Sequence, residues 1–334
     1  MNDPLKILVV GGGSAGVRHF RYLTEYGAVC SICDPADTCR VTKDFPEAER
    51  IPNFGETDLS RFDAVAICTP PSMHVQQAIT AARAGCHVLL EKPLSVLNED
   101  GIDELQDILR QTNLLAAVAF PYANMKAMDR IIEIVNAEEI GKVRAVAIHH
   151  GQNILKYRPD FLETYYADDA QGGGCLQDDA MHPLMGLEML LGPEEEVTCQ
   201  RHSVGIKGQN VTADDTAWLW IRYRCEVIAE INFSLACHWK HNEWIINGSH
   251  GAIRFLVNEP SVHVFNAQTE HIRTERFDDG WNETFRRNDA NFLRAIRGKT
   301  EVRCTLEMSR INLRAVLAAR KSAKIGRAVR LDEF

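Results

Sequence analysis

Three glycines near the amino terminus constrain the fold most, because they follow a short apolar run at residues 6–10 with the spacing G-x-G-x-x-G: Gly11, Gly13 and Gly16. Residues 14–26 then read as a helix. In such a unit the first glycine permits a tight turn, the second lets the backbone approach a pyrophosphate, and the third lets the helix pack on the strand. The helix N-terminus, at Ser14 and Ala15, offers N–H groups and a positive dipole to phosphates. The pattern predicts a dinucleotide-binding turn, with an ordinary strand–turn–helix as the alternative.

The end of the second predicted strand bears on the choice of cofactor. Residues 28–33 read as a strand and are followed by Asp34. A carboxylate at this point can accept hydrogen bonds from ribose hydroxyls and repels a 2′-phosphate. We therefore expect NAD, and NADP is less favoured. Arg40 is close enough in sequence to keep NADP open.

Strand-like and helix-like segments alternate over the first 120 residues. Buried strands separated by helices indicate a parallel sheet with right-handed crossovers, so we expect an α/β Rossmann domain at residues 1–122. After Tyr122 the strands are longer and few helices interrupt them, which is typical of an α+β domain with a large, mostly antiparallel sheet at residues 123–334. The last predicted helix, 305–324, is a candidate to pack back on the first domain. The predicted strands are 6–10, 28–33, 64–69, 87–90, 114–120, 143–150, 197–204, 216–223, 226–235, 243–247, 252–256 and 261–265.

Composition excludes several classes of partner. The 334 residues correspond to roughly two domains, and 37 Lys and Arg against 46 Asp and Glu give a net charge of −9. A generic nucleic-acid binder would be basic. Because no apolar run approaches the ~18 residues of a membrane helix and the N-terminal run is too short for a signal peptide, we expect a cytoplasmic protein without membrane contact. The ten cysteines follow no disulfide framework, which fits reduced thiols.

Two groups of potential metal ligands do not form a convincing site. Cys30 and Cys33 have the spacing C-x-x-C, but they lie within a predicted strand, where positions i and i+3 point to opposite faces. No second pair completes the four ligands of a zinc site. His149 and His150 are adjacent on a strand and point apart in the same way. We expect no metal.

Two motifs follow strands at the edge where open α/β sheets bind ligands. Thr69 and Pro70 follow the third predicted strand, with His74 shortly after them. Here a proline that stops the strand and a surface histidine are the alternative to cofactor contact. Glu91 and Lys92, followed by Pro93, come after the strand 87–90. This lysine either places a positive charge near a substrate or is a solvated residue in a turn.

A glycine cluster at 172–174 precedes Asp178 and His182. If one helix spans 175–191, these two side chains lie at i and i+4 on one face. A neutral imidazole can take a hydroxyl proton while a carboxylate orients the substrate. A helix with a favourable N-terminal carboxylate and a packed histidine is the alternative.

Together these motifs resemble the glucose–fructose oxidoreductase / inositol dehydrogenase (Gfo/Idh/MocA) family over nearly the whole chain. The resemblance rests on the glycine pattern, on Thr69-Pro70 with His74, on Glu91-Lys92-Pro93, and on Gly-Gly-Gly-x-x-x-Asp-x-x-x-His ending at His182. It implies a Rossmann domain with a second, mostly antiparallel domain. It also implies nicotinamide-dependent hydride transfer at a secondary hydroxyl or ketone of a sugar or cyclitol. A cis bond between Lys92 and Pro93 is implied as well, with a homodimer or homotetramer built on the open face of the second sheet.

Carried over to this sequence, the family pattern makes Lys92, Asp178 and His182 the catalytic residues. His182 would be the acid/base, Lys92 would contact both substrate and nicotinamide, and Asp178 would bind the substrate. The expected cofactor contacts are Gly11, Gly13, Ser14, Ala15, Gly16, Asp34, Thr69, Pro70, His74, Glu91 and Lys92. Besides the catalytic three, the polar and aromatic segment before the glycine cluster supplies further candidate substrate contacts: Gln152, Tyr157, Arg158 and Tyr165.

The sequence departs from the family pattern at positions that shape the substrate site. Pro183 follows the motif histidine where many members have an Asp nearby, so the substrate cannot be taken from one relative. Two other functions stay open. One is a hydrolase or lyase in which NAD oxidises the sugar transiently. The other is a non-catalytic NAD-binding regulator. The presence of Lys92, Asp178 and His182 argues against it, because a regulator needs no proton acceptor.

Overall fold

The computed structural model describes residues 3–208 and 211–334 and divides into two compact units. The first comprises Met1–Asn124 and Trp281–Arg310, and the second comprises Met125–Gly280 and Ile311–Phe334. The predicted boundary between residues 122 and 123 lies two residues before this one, and residues 281–310, predicted in the second domain, cluster with the first unit. The predicted C-terminal helix is itself divided after Arg310.

The strands agree closely with the predicted ones. They are β1 (Lys6–Val10), β2 (Val29–Cys33), β3 (Arg50–Ile51), β4 (Ala64–Ile67), β5 (His87–Glu91), β6 (Ala116–Ala119), β7 (Val143–Asn153), β8 (Glu194–His202), β9 (Thr216–Tyr223), β10 (Ile228–Ser234), β11 (Ala236–Gly248), β12 (Gly251–Leu256), β13 (Ser261–Asn266), β14 (His271–Arg276) and β15 (Val329–Arg330). Three strands were not predicted. β3 and β15 have only two residues each, and β14 is almost wholly exposed, so none has an apolar pattern to detect.

The helices also follow the sequence pattern for the most part. They are α1 (Ser14–Glu25), α2 (Arg40–Asp44), α3 (His74–Arg83), α4 (Ile102–Thr112), α5 (Lys126–Asn136), α6 (Ile154–Tyr157), α7 (Cys175–Asp178), α8 (Met181–Leu191), α9 (Trp281–Ile296) and α10 (Leu306–Ile325). Within the described residues no helix is long and apolar enough to cross a membrane.

The sheet of the first unit has the order β3-β2-β1-β4-β5-β6, and every neighbouring pair is parallel. The predicted Rossmann sheet is therefore confirmed. Its central strand β1 is buried from Ile7 to Val10, as a parallel sheet covered on both faces requires. Because all strands point the same way, the segments after β1, β2, β4 and β5 lie along one edge of the sheet.

Helix α9 belongs to this core although it lies far along the chain. Its Phe292 and Leu293 are almost fully buried and pack in one cluster with Ile7 and Leu23. Burial of each such side chain contributes about 1.5–3 kcal/mol. This packing explains why residues 281–310 cluster with the first unit.

The sheet of the second unit has the order β14-β13-β12-β11-β7-β10-β9-β8-β15. Its neighbours are antiparallel except β7 and β10, which are parallel, so the mostly antiparallel sheet is confirmed. One face is buried, with Trp244, Phe255 and Ile231 fully covered. The other face is more open, as Trp218 and Trp220 on β9 show.

Candidate active site

The glycine turn after β1 has the geometry of a phosphate-binding loop. Gly11 has φ +94°, and a Cβ on it would lie 2.7 Å from the carbonyl oxygen of Cys68. A Cβ on Gly16 would lie 1.8 Å from the carbonyl oxygen of Gly11, so only glycine lets α1 pack this closely. A Cβ on Gly13 would meet nothing within 4 Å. The turn is therefore tightly packed on the protein side and open at Gly13, beside Ser14 and Ala15 at the start of α1. These features fit a dinucleotide pyrophosphate.

Asp34 lies directly beside this turn. Its Oδ2 accepts a hydrogen bond from the backbone N–H of Gly12 at 2.6 Å, and its Oδ1 accepts one from Ala36 N–H at 2.9 Å. These two bonds hold the half-buried carboxylate at the end of β2, and its contact with a ribose stays a prediction. The Arg40 backbone N–H donates to Gly12 O at 3.0 Å, so this segment is joined to the glycine turn through its main chain as well.

His74 is a buried link between two loops and not a surface residue. Its side chain is 1% exposed, and its ring nitrogens lie 2.8 Å from the carbonyl oxygens of Pro93 and Thr69. A neutral imidazole can donate to one of these carbonyls, and only a protonated ring can donate to both. Burial lowers the pKa of His74, although the two carbonyls oppose this effect. The ring joins the loop that contains Thr69 and Pro70 to the turn that contains Lys92.

The Lys92–Pro93 bond is cis, as the resemblance implied. Lys92 is half-buried and directly follows the last residue of β5, Glu91. Glu91 is 8% exposed, and its Oε2 accepts a hydrogen bond from the Lys92 backbone N–H at 3.1 Å. The carboxylate of Glu91 is thus engaged within the protein, and its expected contact with the cofactor stays a prediction.

Sequence reasoning missed two buried residues, His19 and Asp289, that adjoin Glu91. His19 is fully buried on α1; its Nδ1 lies 2.8 Å from Asp289 Oδ1, and its Nε2 lies 3.1 Å from Glu91 Oε1. The available signal was a histidine on the buried face of an amphipathic helix. Its partner Asp289 lies on α9, and nothing in the sequence pairs these two positions.

Each ring nitrogen of His19 faces the carboxylate of a neighbouring residue. Burial alone would lower the pKa of His19, but Asp289 and Glu91 raise it to about 10. Burial also raises the pKa of Asp289, which the charge of His19 offsets only in part. Because both ring nitrogens face carboxylate oxygens, we place the proton on His19 and describe the group as an imidazolium between two carboxylates.

In the second unit, the glycines 172–174 build a turn that alanine could not form. Gly172 has φ +81° and Gly174 has φ +96°, both in the left-handed region. A Cβ on Gly173 would lie 2.4 Å from the Tyr166 carbonyl oxygen, and one on Gly174 would lie 2.6 Å from Asp214 Oδ1. The turn brings the start of α7 against Tyr166 and Asp214.

Asp214 fixes the start of α7. Its Oδ2 accepts hydrogen bonds from Leu176 N–H at 2.9 Å and from the Cys175 thiol at 2.9 Å. Arg201 donates from Nη1 to its Oδ1 at 3.1 Å. These bonds hold the short helix that ends at Asp178.

Asp178 and His182 are both buried, at 9% and 8% exposure, but the expected single helix over 175–191 is wrong. α7 ends at Asp178 and α8 begins at Met181. Pro183 gives the physical reason, because proline lacks an N–H and its ring would clash with the carbonyl four residues earlier in a continuous helix. A new helix starting at Met181 places Pro183 in a first turn, where it is tolerated. The i and i+4 argument for one helix face therefore does not apply.

Three of the predicted substrate residues lie near one another. The Arg158 guanidinium stacks over the Tyr166 ring at 4.0 Å, and the rings of Tyr165 and Tyr166 stack at 4.1 Å. Burial alone would lower the pKa of Arg158, but Tyr166, Asp178 and other acidic neighbours raise it. Burial raises the pKa of the Tyr165 phenol, and the charge of Asp178 adds to this. Arg158, Tyr165 and Asp178 thus form one electrostatically coupled cluster, with Tyr166 as a member that sequence reasoning missed.

Tyr157 and Gln152 have other surroundings. Tyr157 is 48% exposed, with Lys240 Nζ 4.8 Å from its ring centroid. Gln152 lies near the end of β7, opposite an irregularity in the pairing with β11 between Ala236 and His241. Over residues 3–208 and 211–334, no group of three or more His, Cys, Asp or Glu side chains could hold a metal ion.

Comparison with known proteins assigns both parts of the chain to one family. Residues 5–120 match the Gfo/Idh/MocA model described as the oxidoreductase family with an NAD-binding Rossmann fold. Residues 132–331 match the model described as the oxidoreductase family C-terminal alpha/beta domain. Together the two matches span most of the 334 residues.

The individual relatives described next share only about a quarter or less of their residues with this chain. A 1,5-anhydro-D-fructose reductase of Ensifer adhaerens is 24% identical over 274 residues, covering 81% of this chain and 80% of the relative. A levoglucosan dehydrogenase of Pseudarthrobacter phenanthrenivorans is 25% identical over 301 residues, covering 75% and 73%. A solved levoglucosan dehydrogenase in complex with NADH and levoglucosan has a TM-score of 0.86 at 20% identity and covers 98% of this chain and 100% of that chain. The chain belongs to the Gfo/Idh/MocA family of oxidoreductases, and its residues 5–120 are that family's NAD-binding Rossmann fold.

Proposed function

We propose that the protein is a dehydrogenase or reductase that uses NAD, in preference to NADP, at a secondary hydroxyl or ketone of a sugar or sugar derivative. The observation that carries the proposal is the cluster in the second unit, where Arg158 and Tyr165 both stack on Tyr166 and the carboxylate of the buried Asp178 contributes to the raised pKa of both. Donors, an acceptor and an aromatic face together suit a ring with several hydroxyl groups. The printed activities of two relatives, on 1,5-anhydro-D-fructose and levoglucosan, point to the same class of substrate.

In this proposal three side chains carry the chemistry. His182 takes the hydroxyl proton during oxidation and returns it during reduction. Lys92, as an ammonium, stabilises the negative charge that grows on the substrate oxygen, an effect of several kcal/mol in a preorganised site. Asp178 orients the ring by accepting a hydrogen bond from another hydroxyl. Bound NAD supplies the hydride acceptor.

The residues of the first unit fit NAD on three counts. Gly13 leaves open space where a pyrophosphate would approach, and α1 begins beside it. The Asp34 carboxylate is held ready for ribose hydroxyls. The Thr69–Pro70 loop and the Lys92 turn are joined by His74 at the carboxyl edge of the same sheet. We propose that Thr69 and Pro70 contact the cofactor and that His74 acts by holding their loop.

The substrate has no need to be anionic. A guanidinium such as that of Arg158 can bind a carboxylate or phosphate, but Arg158 already has acidic neighbours in Asp178 and Asp179. A neutral anhydrosugar or cyclitol is therefore an adequate partner for this cluster, and we place these ahead of uronates and sugar phosphates.

The test is a screen of levoglucosan, 1,5-anhydro-D-fructose, inositols, uronates and nucleotide sugars, read by NADH absorbance with NAD for alcohols and NADH for ketones. K92A and H182N serve as matched variants. We expect turnover of a neutral cyclic polyol or its ketone, lost by at least about 100-fold in both variants. Full turnover by K92A would refute the assigned chemistry. Turnover that needs no added NAD, by enzyme that copurifies with cofactor, would instead favour the lyase or hydrolase.

We further propose a cytoplasmic homodimer or homotetramer that uses the open face of the second sheet. Trp218 and Trp220 are 43% and 42% exposed on this face of β9, alternating with buried Leu219. Light scattering after size exclusion should give a mass of two or four chains, and the double variant W218S/W220S should shift it towards 37.5 kDa. An unchanged mass in that variant would place the interface elsewhere.

A further inference from the structure

The buried group formed by His19, Glu91 and Asp289 lies within the first unit, and no step of the chemistry above uses it. Glu91 is its central member, because one carboxylate oxygen faces the His19 ring at 3.1 Å and the other accepts the Lys92 backbone N–H at 3.1 Å. The chain of contacts therefore runs from α9 through α1 to the turn that contains Lys92. All three side chains are less than a tenth exposed.

Burying three ionisable side chains together destabilises the folded state unless they pair well, because each buried charge loses its hydration. Here each ring nitrogen of His19 has a carboxylate partner, and Asn288 Nδ2 donates to Asp289 at 3.1 Å. Burial alone would raise the pKa of Glu91, but the hydrogen bond and charge of His19, with Arg18 and Lys92, hold it below its ordinary value. Glu91 is thus kept as a carboxylate, the form that accepts from Lys92 N–H most strongly.

The Lys92 turn is held from a second side as well. His74 lies 2.8 Å from the carbonyl oxygen of Pro93, so the peptide groups on both sides of the Lys92–Pro93 segment have buried partners. Fixing the backbone of a residue reduces the conformations from which its side chain must be ordered. A catalytic group that is displaced by about 1 Å can lose roughly 100-fold in rate.

We propose that His19 and Asp289 are positioning residues of the active site, which act through Glu91 to hold the backbone of Lys92. This inference rests on the proposed role of Lys92. His19 fixes the carboxylate of Glu91, and Asp289 fixes the ring of His19. None of the three needs to touch the substrate. The same helix α1 begins at the phosphate loop, so the loop and the Lys92 turn are joined through one buried charge group.

The experiment is a double-mutant cycle between H19Q and E91Q, assayed with the substrate that the screen identifies. The E91Q side chain retains an oxygen for the Lys92 N–H but removes the charge that His19 holds. We expect kcat to fall about 10- to 100-fold in each single variant, and no further in the double variant, because both act on Lys92 by one route. In H19Q, which changes no predicted cofactor contact, the dissociation constant of NADH should stay within about twofold. If the losses in kcat multiply in the double variant, or if H19Q changes NADH affinity and leaves kcat unchanged, the proposal is overturned.

A second readout needs no substrate. Reductive methylation with carbon-13 formaldehyde labels lysines, and K92R identifies the Lys92 signal by its loss. That signal should shift in H19Q and in E91Q. H87Q is the matched control, since His87 lies at the other end of β5 and accepts from Leu115 N–H. If H19Q does not fold, D289N leaves His19 in place and should shift the same signal. A Lys92 signal that is identical in all variants would refute positioning, whereas full activity of K92A would refute the proposed function and not this contact chain.

Discussion

The carboxylate of Asp34 accepts a hydrogen bond from the backbone N–H of Gly12 at 2.6 Å. This contact joins the end of β2 to the glycine turn after β1, two segments that a dinucleotide would contact at its ribose and its pyrophosphate. The carboxylate is therefore fixed before any cofactor arrives. A preorganised acceptor loses less entropy on binding than a mobile one.

Replacing Asp34 by serine should weaken NADH binding and narrow the discrimination against NADPH. A hydrogen bond to a charged group is worth about 1.5–3 kcal/mol, so the dissociation constant of NADH should rise roughly 10- to 100-fold. NADPH should bind more tightly than before, because the charge that repels a 2′-phosphate is gone. Titration followed by NADH and NADPH fluorescence measures both. The control is D37N in the same loop, whose side chain is fully exposed and pairs with Arg50 at 3.2 Å. An unchanged ratio of the two affinities in D34S would show that Asp34 does not select the cofactor.

Alanine at Gly13 and at Gly16 should have opposite consequences. Gly13 has φ −75° and a Cβ there would meet nothing within 4 Å, so G13A should keep the Tm of the free protein. It should weaken NADH binding at least about tenfold, which requires a loss of only about 1.4 kcal/mol. In G16A the Cβ would lie 1.8 Å from Gly11 O, and overpacking of this kind costs about 1–3 kcal/mol or more. Thermal unfolding and NADH titration of both variants separate the two effects. If G13A and G16A lost equal stability, the space beside Gly13 would not be open to a Cβ atom.

Much of the fold follows from local pattern, because periodicity and glycine placement are properties of neighbouring residues. The run Lys6–Val10, the glycine turn and the helix from Ser14 were predicted almost to the residue. The placement of α9 in the first unit was not, since it depends on Phe292 and Leu293 packing against strands nearly the whole chain away. Amphipathic helices show which face is buried and do not show what covers it.

The candidate site likewise has residues that local sequence motifs reveal and residues that only the folded chain brings together. Asp34, Lys92 and Asp178 follow recognisable motifs, and the structure describes the local geometry of each. His19 and Asp289 are 270 residues apart, and only the folded chain brings them together. The break between α7 and α8 was accessible to sequence reasoning, since Pro183 was visible and its cost inside a helix is known. The i and i+4 spacing of Asp178 and His182 predicts one helix only if Pro183 is ignored.

Alanine at Gly173 should impair substrate binding more than cofactor binding. Its Cβ would lie 2.4 Å from Tyr166 O and 2.6 Å from Tyr165 O, and backbone atoms cannot move aside as a side chain would. The stacked pair Tyr165–Tyr166 and the Arg158 guanidinium over it should therefore shift. We expect KM for the substrate to rise about tenfold, with the NADH dissociation constant unchanged. G280A is the control, because a Cβ on Gly280 would meet nothing within 4 Å. A G173A enzyme with wild-type KM would separate the glycine turn from the substrate site.

The imidazolium of His19 should give the protein a distinctive dependence of stability on pH. The pKa of His19 is raised to about 10 in the folded protein, against 6.5 as the reference value. Below pH 6.5 both states hold the proton and the stabilisation is complete. Between about 6.5 and 10 the folded state binds one proton more than the unfolded state, so the free energy of unfolding should fall by up to about 1.4 kcal/mol per pH unit.

Urea unfolding of the wild type and H19Q across this range isolates the contribution of His19. Asp289 and Glu91 face its two ring nitrogens. Arg18 and Lys92 act on Glu91, and the charge of Asp289 reaches Cys30 and Cys68. The thiols of Cys30 and Cys68 also have raised pKa values, which makes stability fall in alkali in both proteins. The difference between the two proteins should therefore decline steadily with rising pH. A histidine buried in its neutral form would give the opposite pH dependence, because the wild type would gain stability relative to H19Q as the pH rises through 6.5. That result would show that His19 is not an imidazolium in the folded protein.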